Sequence, residues 1–156
     1  MFAQLDTKSV YSFMDSVVDL NTYVKRAKEL GYQSIGLMDR DNLYAAYHFA
    51  QLAIRNGLRP LIGTEANLFY EGRKIPFRLL AKNNQGYKNL MKLATELSSG
   101  QREFTYFSDY LNDIALILPS EDWEPGMSLG SEVFIGVRPE DAGKEFDYPV
   151  VPLHTV

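Results

Sequence analysis

The chain has no cysteine, which excludes disulfides, a cysteine-based zinc site and a thiol nucleophile. Histidine is almost as scarce. His48 and His154 are the only two among 156 residues, so any metal site here leans on carboxylates. No stretch approaches the ~20 apolar residues of a membrane-spanning helix. No basic segment followed by an apolar run marks a secretory signal at the start. A basic excess is missing too. The net charge is −4 and the pI about 5.2, which argues against a free-standing nucleic-acid binder. DNA handled by another part of a longer protein is not excluded. Gly36 and Gly63 form no phosphate loop, and neither a Walker pattern nor a G-x-S-x-G elbow is present. These absences suit a cytoplasmic chain with no membrane partner.

What is present is enough apolar material for a core. At 156 residues and 46% hydrophobic, the chain reads as one domain over 1–156. Residues 2–6 read as a short strand and Ser9–Val18 as a loop. A helix opens at Asp19 with Leu20, Tyr23, Val24, Ala27 and Leu30 on one face, and stops at Gly31. Ser34–Met38 reads as a strand ending in a polar turn, Asp39–Asn42. Leu43–Asn56 is the next helix, with Leu43, Ala46, Tyr47, Ala50 and Ile54 as its inner face. Leu58–Gly63 leads into a third strand with Glu65 at its end. Strand, helix, strand, helix, strand implies parallel crossovers. Asn67–Tyr70 and Lys74–Ala81 read as strands around the hairpin signal Glu71-Gly72-Arg73. Asn83–Gly86 reads as a turn. Tyr87–Leu97 is a helix with Tyr87, Leu90, Met91, Ala94 and Leu97 inward. A short helix around Tyr106–Leu111 follows, then strands at Ile114–Leu118, Val133–Val137 and Tyr148–Val151. The order suits an α/β fold, a (β/α) barrel compacted or truncated at its C-terminal end.

The opening strand carries an unusual row. Gln4, Asp6 and Lys8 share one face because side chains alternate along a strand. Five stretches then stand in order: Gln4–Asp15, with Tyr11-Ser12 and Met14-Asp15; Val24–Gly31; Met38-Asp39 with Asn42-Leu43-Tyr44; Gly57–Glu65; and Leu80–Leu93. On these, over about residues 2–95, the sequence resembles the PHP domain that begins bacterial replicative DNA polymerase III alpha subunits, in the shorter DnaE type of low-GC Gram-positive bacteria. Leu80–Leu93 is the most specific stretch, since no metal or fold requirement for it is visible in the sequence. Residues 96–156 match loosely.

The resemblance implies a distorted barrel of the seven-stranded TIM-like kind. In active members histidines and carboxylates at the strand ends hold a metal cluster for phosphoester hydrolysis, in some alpha subunits a 3′–5′ proofreading exonuclease. It also implies that this chain is the N-terminal piece of a longer polymerase. The polymerase chemistry, with its Mg, would belong to palm sequence absent here. The implied partners are the rest of that chain and, through it, DNA and replisome subunits.

Active members carry histidines where this chain has Gln4, Asp6 and Lys8, and Asp-His where it has Asp39-Arg40. Asp15 and Glu65 are kept. The resemblance therefore leaves four carboxylates (Asp6, Asp15, Asp39 and Glu65), one amide and two cations at ligand positions. An ammonium repels a divalent ion, and a guanidinium has no acceptor. Lys8 and Arg40 are expected to pair with Asp6, Asp39 or Glu65, so that buried carboxylates are not left unpaired. The reading is a metal-free remnant with no catalytic residue, kept as a structural and interface module. The rival is a metal-dependent phosphoesterase or proofreading exonuclease with one Mg or Mn ion on Asp6, Asp39 and Glu65. A stand-alone phosphatase is a third reading. In the blandest one, Asp39 and Asp41 are only turn or N-cap residues.

His48 is expected on a helix surface or packed against the fold, not as a ligand. His154 falls out of phase with the family's last Asp-x-His, where Thr155 replaces the Asp and the final position would lie just past Val156. Phe104, Tyr106, Phe107 and Tyr110 have few basic neighbours, so they read as packing against the core or a domain interface rather than as a base-stacking platform. They, or the C-terminal end, would offer an apolar docking patch.

Overall fold

The computed structural model describes residues 3–12, 19–130, 132–141 and 143–153. Seven strands pair in chain order: β1 (Ala3–Gln4), β2 (Ser34–Arg40), β3 (Arg59–Tyr70), β4 (Arg73–Ala81), β5 (Ile114–Pro119), β6 (Val133–Val137) and β7 (Val150–Pro152). Only β4 runs backwards, so β3–β4 and β4–β5 are antiparallel and the other pairs parallel. Helices α1 (Leu20–Glu29) and α2 (Ala46–Arg55) lie in the first two crossovers. Helix α3 (Asn84–Ser98) and the short α4 (Phe104–Phe107) follow β4. The last two crossovers carry only 3₁₀ turns among the described residues, Ser120–Asp122 and Pro139–Asp141. This is the expected mixed α/β barrel sheet, compacted towards its C-terminal end.

Local chemistry explains most of the elements. Asp19 caps α1 by accepting from the Thr22 amide at 3.0 Å, which satisfies one orphan donor of the first turn. Leu20, Val24 and Ala27 then bury one stripe. Gly36 is required where the chain after β1 crosses β2, because a Cβ there would lie 2.5 Å from the Leu5 carbonyl oxygen. The two-residue turn Glu71-Gly72 has positive φ at both positions, 49° and 79°. That is the hairpin turn whose twist suits adjoining strands. It sets Tyr70 opposite Arg73 and therefore Glu65 opposite Arg78.

Several expectations are corrected. β2 runs on through Asp39 and Arg40 rather than turning at Asp39. Arg59–Gly63 and Asn67–Tyr70 belong to one strand of 12 residues, with Leu58 outside it, so Glu65 sits inside β3, not at its end. Helix α2 starts at Ala46, three residues late, and buries Ala46, Phe49 and Ala53 instead of the Tyr47 and Ile54 stripe. Helix α3 buries Leu90, Leu93 and Leu97, while Met91 is exposed.

Leu80–Leu93 has a fold requirement after all, set by its contacts with the loop before β5. Asn83 caps α3 by accepting from Gly86 N at 2.9 Å, and donates to Asp113 Oδ1 at 3.1 Å. Asn89 donates to the Asn112 carbonyl at 2.8 Å, and a Cβ on Gly86 would lie 2.1 Å from the Asp113 carbonyl oxygen. The predicted turn at Asn83–Gly86 is thus the cap and first turn of α3, latched to the loop before β5.

Two apolar clusters divide the core. One joins α1 and α2 to β2 through Leu20, Val24, Ile35, Leu37 and Phe49. The other packs α3 and α4 on β3–β6 through Leu68, Phe77, Leu79, Leu90 and Phe107. Phe104 and Phe107 are buried there, Tyr110 packs partly buried against them and Tyr106 is exposed, so the two phenylalanines of the aromatic cluster are core.

Candidate functional site

Strand alternation sorts the polar residues onto two faces of the sheet. In β2, Ile35 and Leu37 belong to the core under α1 and α2. Asp39 shares their parity and lies on that helix side, whereas Arg40 points to the barrel side. Arg40, Glu65 and Arg78 are successive partners across β2, β3 and β4 and form one row. The chain after β1 adds Asp6 and Lys8 to that row.

The row is a buried ion-pair cluster. Lys8 Nζ lies 2.8 Å from Asp6 Oδ1 and 2.9 Å from Glu65 Oε2. Arg78 places Nη2 at 2.9 Å and Nε at 3.2 Å from Asp6 Oδ2, and Nη2 at 3.6 Å from Glu65 Oε2. Arg40 Nε closes the rim at 3.3 Å from Glu65 Oε1, with its side chain 42% exposed. The other four side chains are buried, Asp6 completely. Asp6, Glu65, Lys8 and Arg78 cancel in charge, the condition under which burial of ions is tolerable.

Asp39 is held differently. Its carboxylate accepts from Ser9 N at 2.6 Å, Ser9 Oγ at 2.6 Å and Ser12 Oγ at 2.7 Å. Ser12 Oγ in turn accepts from Arg40 N at 2.9 Å. The carboxylate thus ties the loop after β1 onto the end of β2, using neutral donors. Beneath it Tyr23 donates to the Gly36 carbonyl at 3.0 Å, and burial pushes the Tyr23 hydroxyl up to about 12.

Of the residues singled out in sequence, the structure gathers Asp6, Lys8, Arg40 and Glu65. Gln4 is buried on the same strand face. Asp39 is corrected onto the opposite face, so Asp6, Asp39 and Glu65 do not form one donor set. Among the described residues no three His, Cys, Asp or Glu side chains are grouped to hold a metal. Asp41 caps no helix; it has a φ of 57° in the turn after β2 and pairs with Arg102 at 2.8 Å. Asp15 and His154 lie outside the described residues, and His48 is exposed.

Sequence reasoning missed Arg78, Ser9 and Ser12. The hairpin turn was the available signal for Arg78. Two turn residues fix the register, and the register puts Arg78 opposite Glu65. A divalent ion fits this donor set poorly. At ~4 Å from the Lys8 ammonium it would meet a repulsion on the order of 8 kcal/mol at an effective dielectric of ~20, and the facing oxygens already accept from Lys8 and Arg78.

A family model described as the PHP domain matches residues 4–124. The DNA polymerase III subunit alpha of Streptococcus pyogenes serotype M1 is 46% identical over 158 aligned positions, covering 100% of this chain and 15% of the relative. That of Bacillus subtilis strain 168 is 33% identical over 126 positions, covering 77% and 11%. The similarity therefore continues past residue 95, where the sequence resemblance loosens. The chain spans only about 15% of the length of the first of these relatives. Two solved structures share the fold. An amidohydrolase from Chromobacterium violaceum, with bound sulfate and no metal, has a TM-score of 0.56 at 9% identity, over 79% of this chain and 69% of its own. A protein from Bifidobacterium adolescentis assigned as a metal-dependent phosphoesterase has a TM-score of 0.52 at 18% identity, over 62% and 33%. With the family model matched across most of its length, the chain belongs to the PHP domain family.

Proposed function

We propose that the chain is the PHP portion of a DNA polymerase III alpha-type polypeptide, and that it works as a structural module whose pocket is closed by its own cations. The observation that carries this reading is the Lys8 ammonium within 3 Å of both Asp6 and Glu65. Arg78, Glu65, Lys8 and Asp6 then tie β4 and β3 to the chain leaving β1. Template-directed nucleotidyl transfer with Mg, contacts with DNA and replisome subunits, and a cytoplasmic location belong to the whole polypeptide under this proposal. The 156 residues carry no catalytic residue of their own, form one domain, and are a piece of that longer chain.

The second reading, a metal-dependent phosphoesterase or 3′–5′ exonuclease, draws on the Asp6 and Glu65 carboxylates that share the barrel side and on the phosphoesterase assignment of one structural neighbour. One experiment separates them. The chain, and the longer polypeptide containing it, are incubated with Mn²⁺ or Zn²⁺, assayed on single-stranded DNA and p-nitrophenyl phosphate, and analysed for bound metal after gel filtration. The structural reading expects no retained metal and no hydrolysis above the Asp6→Asn variant. Saturable hydrolysis that this variant abolishes would establish the enzyme instead.

A further inference from the structure

Helix α2 is apolar on two sides. Ala46, Phe49 and Ala53 face the core. Tyr47, Ala50 and Ile54, the stripe that sequence periodicity selects, face away, with Tyr47 71% and Ile54 65% exposed. Helix α3 repeats the arrangement, with Leu90, Leu93 and Leu97 inside, Tyr87 half-buried and Met91 exposed. Tyr47 and Ala50 from α2 and Tyr87 from α3 line a groove of about 320 Å³ with Pro60, Leu61 and Ile62 of β3 at its base. That volume is roughly ten waters' worth of liquid. Isolated exposed apolar side chains are ordinary, but a walled apolar groove marks an interaction site.

The topology explains why it is open. Where β1–β2 and β2–β3 are joined through helices, β3–β4 is joined by a two-residue turn. Among the described residues no crossover helix is available to lie between α2 and α3.

We infer that the groove seats an amphipathic helix from the longer polypeptide to which this chain belongs. The inference rests on reading the chain as one part of an alpha-type polypeptide, most of whose length lies outside it. Two helical walls over a strand accept a helix by ridge-into-groove packing. Arg59 and Lys82 border the groove, so the flank meeting them carries Asp or Glu.

The test places a photo-crosslinking benzoyl-phenylalanine at position 47 of the full-length polypeptide, with one at exposed Lys74 as control. Expected is an intramolecular crosslink to a single segment outside residues 1–156 with apolar i, i+3, i+4 spacing, at least tenfold above the control. Ala50→Arg, which fills the groove, should cut the yield at least tenfold. Should that variant misfold, Arg59→Glu, on the rim, should cut it severalfold. Crosslinks to a second copy or to another protein, or none above the control, overturn the inference. A specific intramolecular crosslink in a polypeptide without polymerase activity would sink the polymerase reading and leave the groove assignment standing. An active polymerase with an unlinked groove does the reverse.

Discussion

Asp6 and Asp39 are both buried carboxylates near the ends of adjoining strands, yet the protein holds them in opposite ways. Asp6 faces Lys8 and Arg78 on the barrel side. Asp39 faces one amide and two hydroxyls on the helix side. In the first arrangement each ion is tolerable only while its counter-ions remain, because a lone buried charge is far costlier than a lone buried hydroxyl. In the second the charge is spread over neutral dipoles, and removing it strands only weaker donors. The same residue type thus acts as a joint in a charged cluster at one site and as an anchor for a loop at the other.

The comparison is tested most severely at Asp6. Asp6→Asn leaves Lys8 and Arg78 sharing Glu65, and should lower unfolding stability by about 3–5 kcal/mol, read as a fall in the urea midpoint. A loss under about 1 kcal/mol would mean that the cluster is no tighter than a surface pair. Asp39→Ala should cost less, about 2 kcal/mol, since Ser9 and Ser12 lose an acceptor without uncovering a charge. A loss equal to that of Asp6→Asn would erase the distinction.

The smallest effect is a pH dependence beneath Asp39. The Tyr23 hydroxyl is raised from its ordinary value of 10.0 to about 12 by burial. The folded state therefore keeps this proton more tightly than the unfolded chain. The stability is fully present below about pH 10 and is lost as pH rises towards about 12. The advantage of the unchanged protein over Tyr23→Phe should stay constant to about pH 10 and shrink above it, in denaturant titrations at fixed pH. A difference that is flat through pH 11 would refute the burial effect.

How far the site was legible follows from particular residues. Asp6 and Lys8 could be placed on one face from alternation along the opening strand and Glu65 on the third strand from local pattern, and the pairing of Lys8 and Arg40 with nearby carboxylates follows from the cost of burying an unpaired charge. Arg78 lies in a strand that reads as ordinary, and its role appears only through hairpin register. Of the three carboxylates offered as partners for the cations, Asp6 and Glu65 take that role and Asp39 does not, because β2 continues two residues further than its apolar run. Continuation puts Asp39 on the opposite face from Arg40. The expected inner faces of α2 and α3 held at Ala46, Leu90 and Leu97 and failed at Tyr47, Ile54 and Met91, because both helices carry more apolar surface than their own core uses, and periodicity does not say which stripe meets it.

The sequence by itself determined the class of fold, the order of strands and helices, the caps at Asp19 and the hairpin turn at Glu71-Gly72, because each depends on neighbours within a few residues. Only the tertiary structure decided which charges meet, that Asp39 is an anchor, that Asn83–Asn89 latch the Asn112-Asp113 loop, and which side of α2 is buried. Those outcomes depend on residues tens of positions apart being brought to one face of one sheet, and no local pattern encodes that distance.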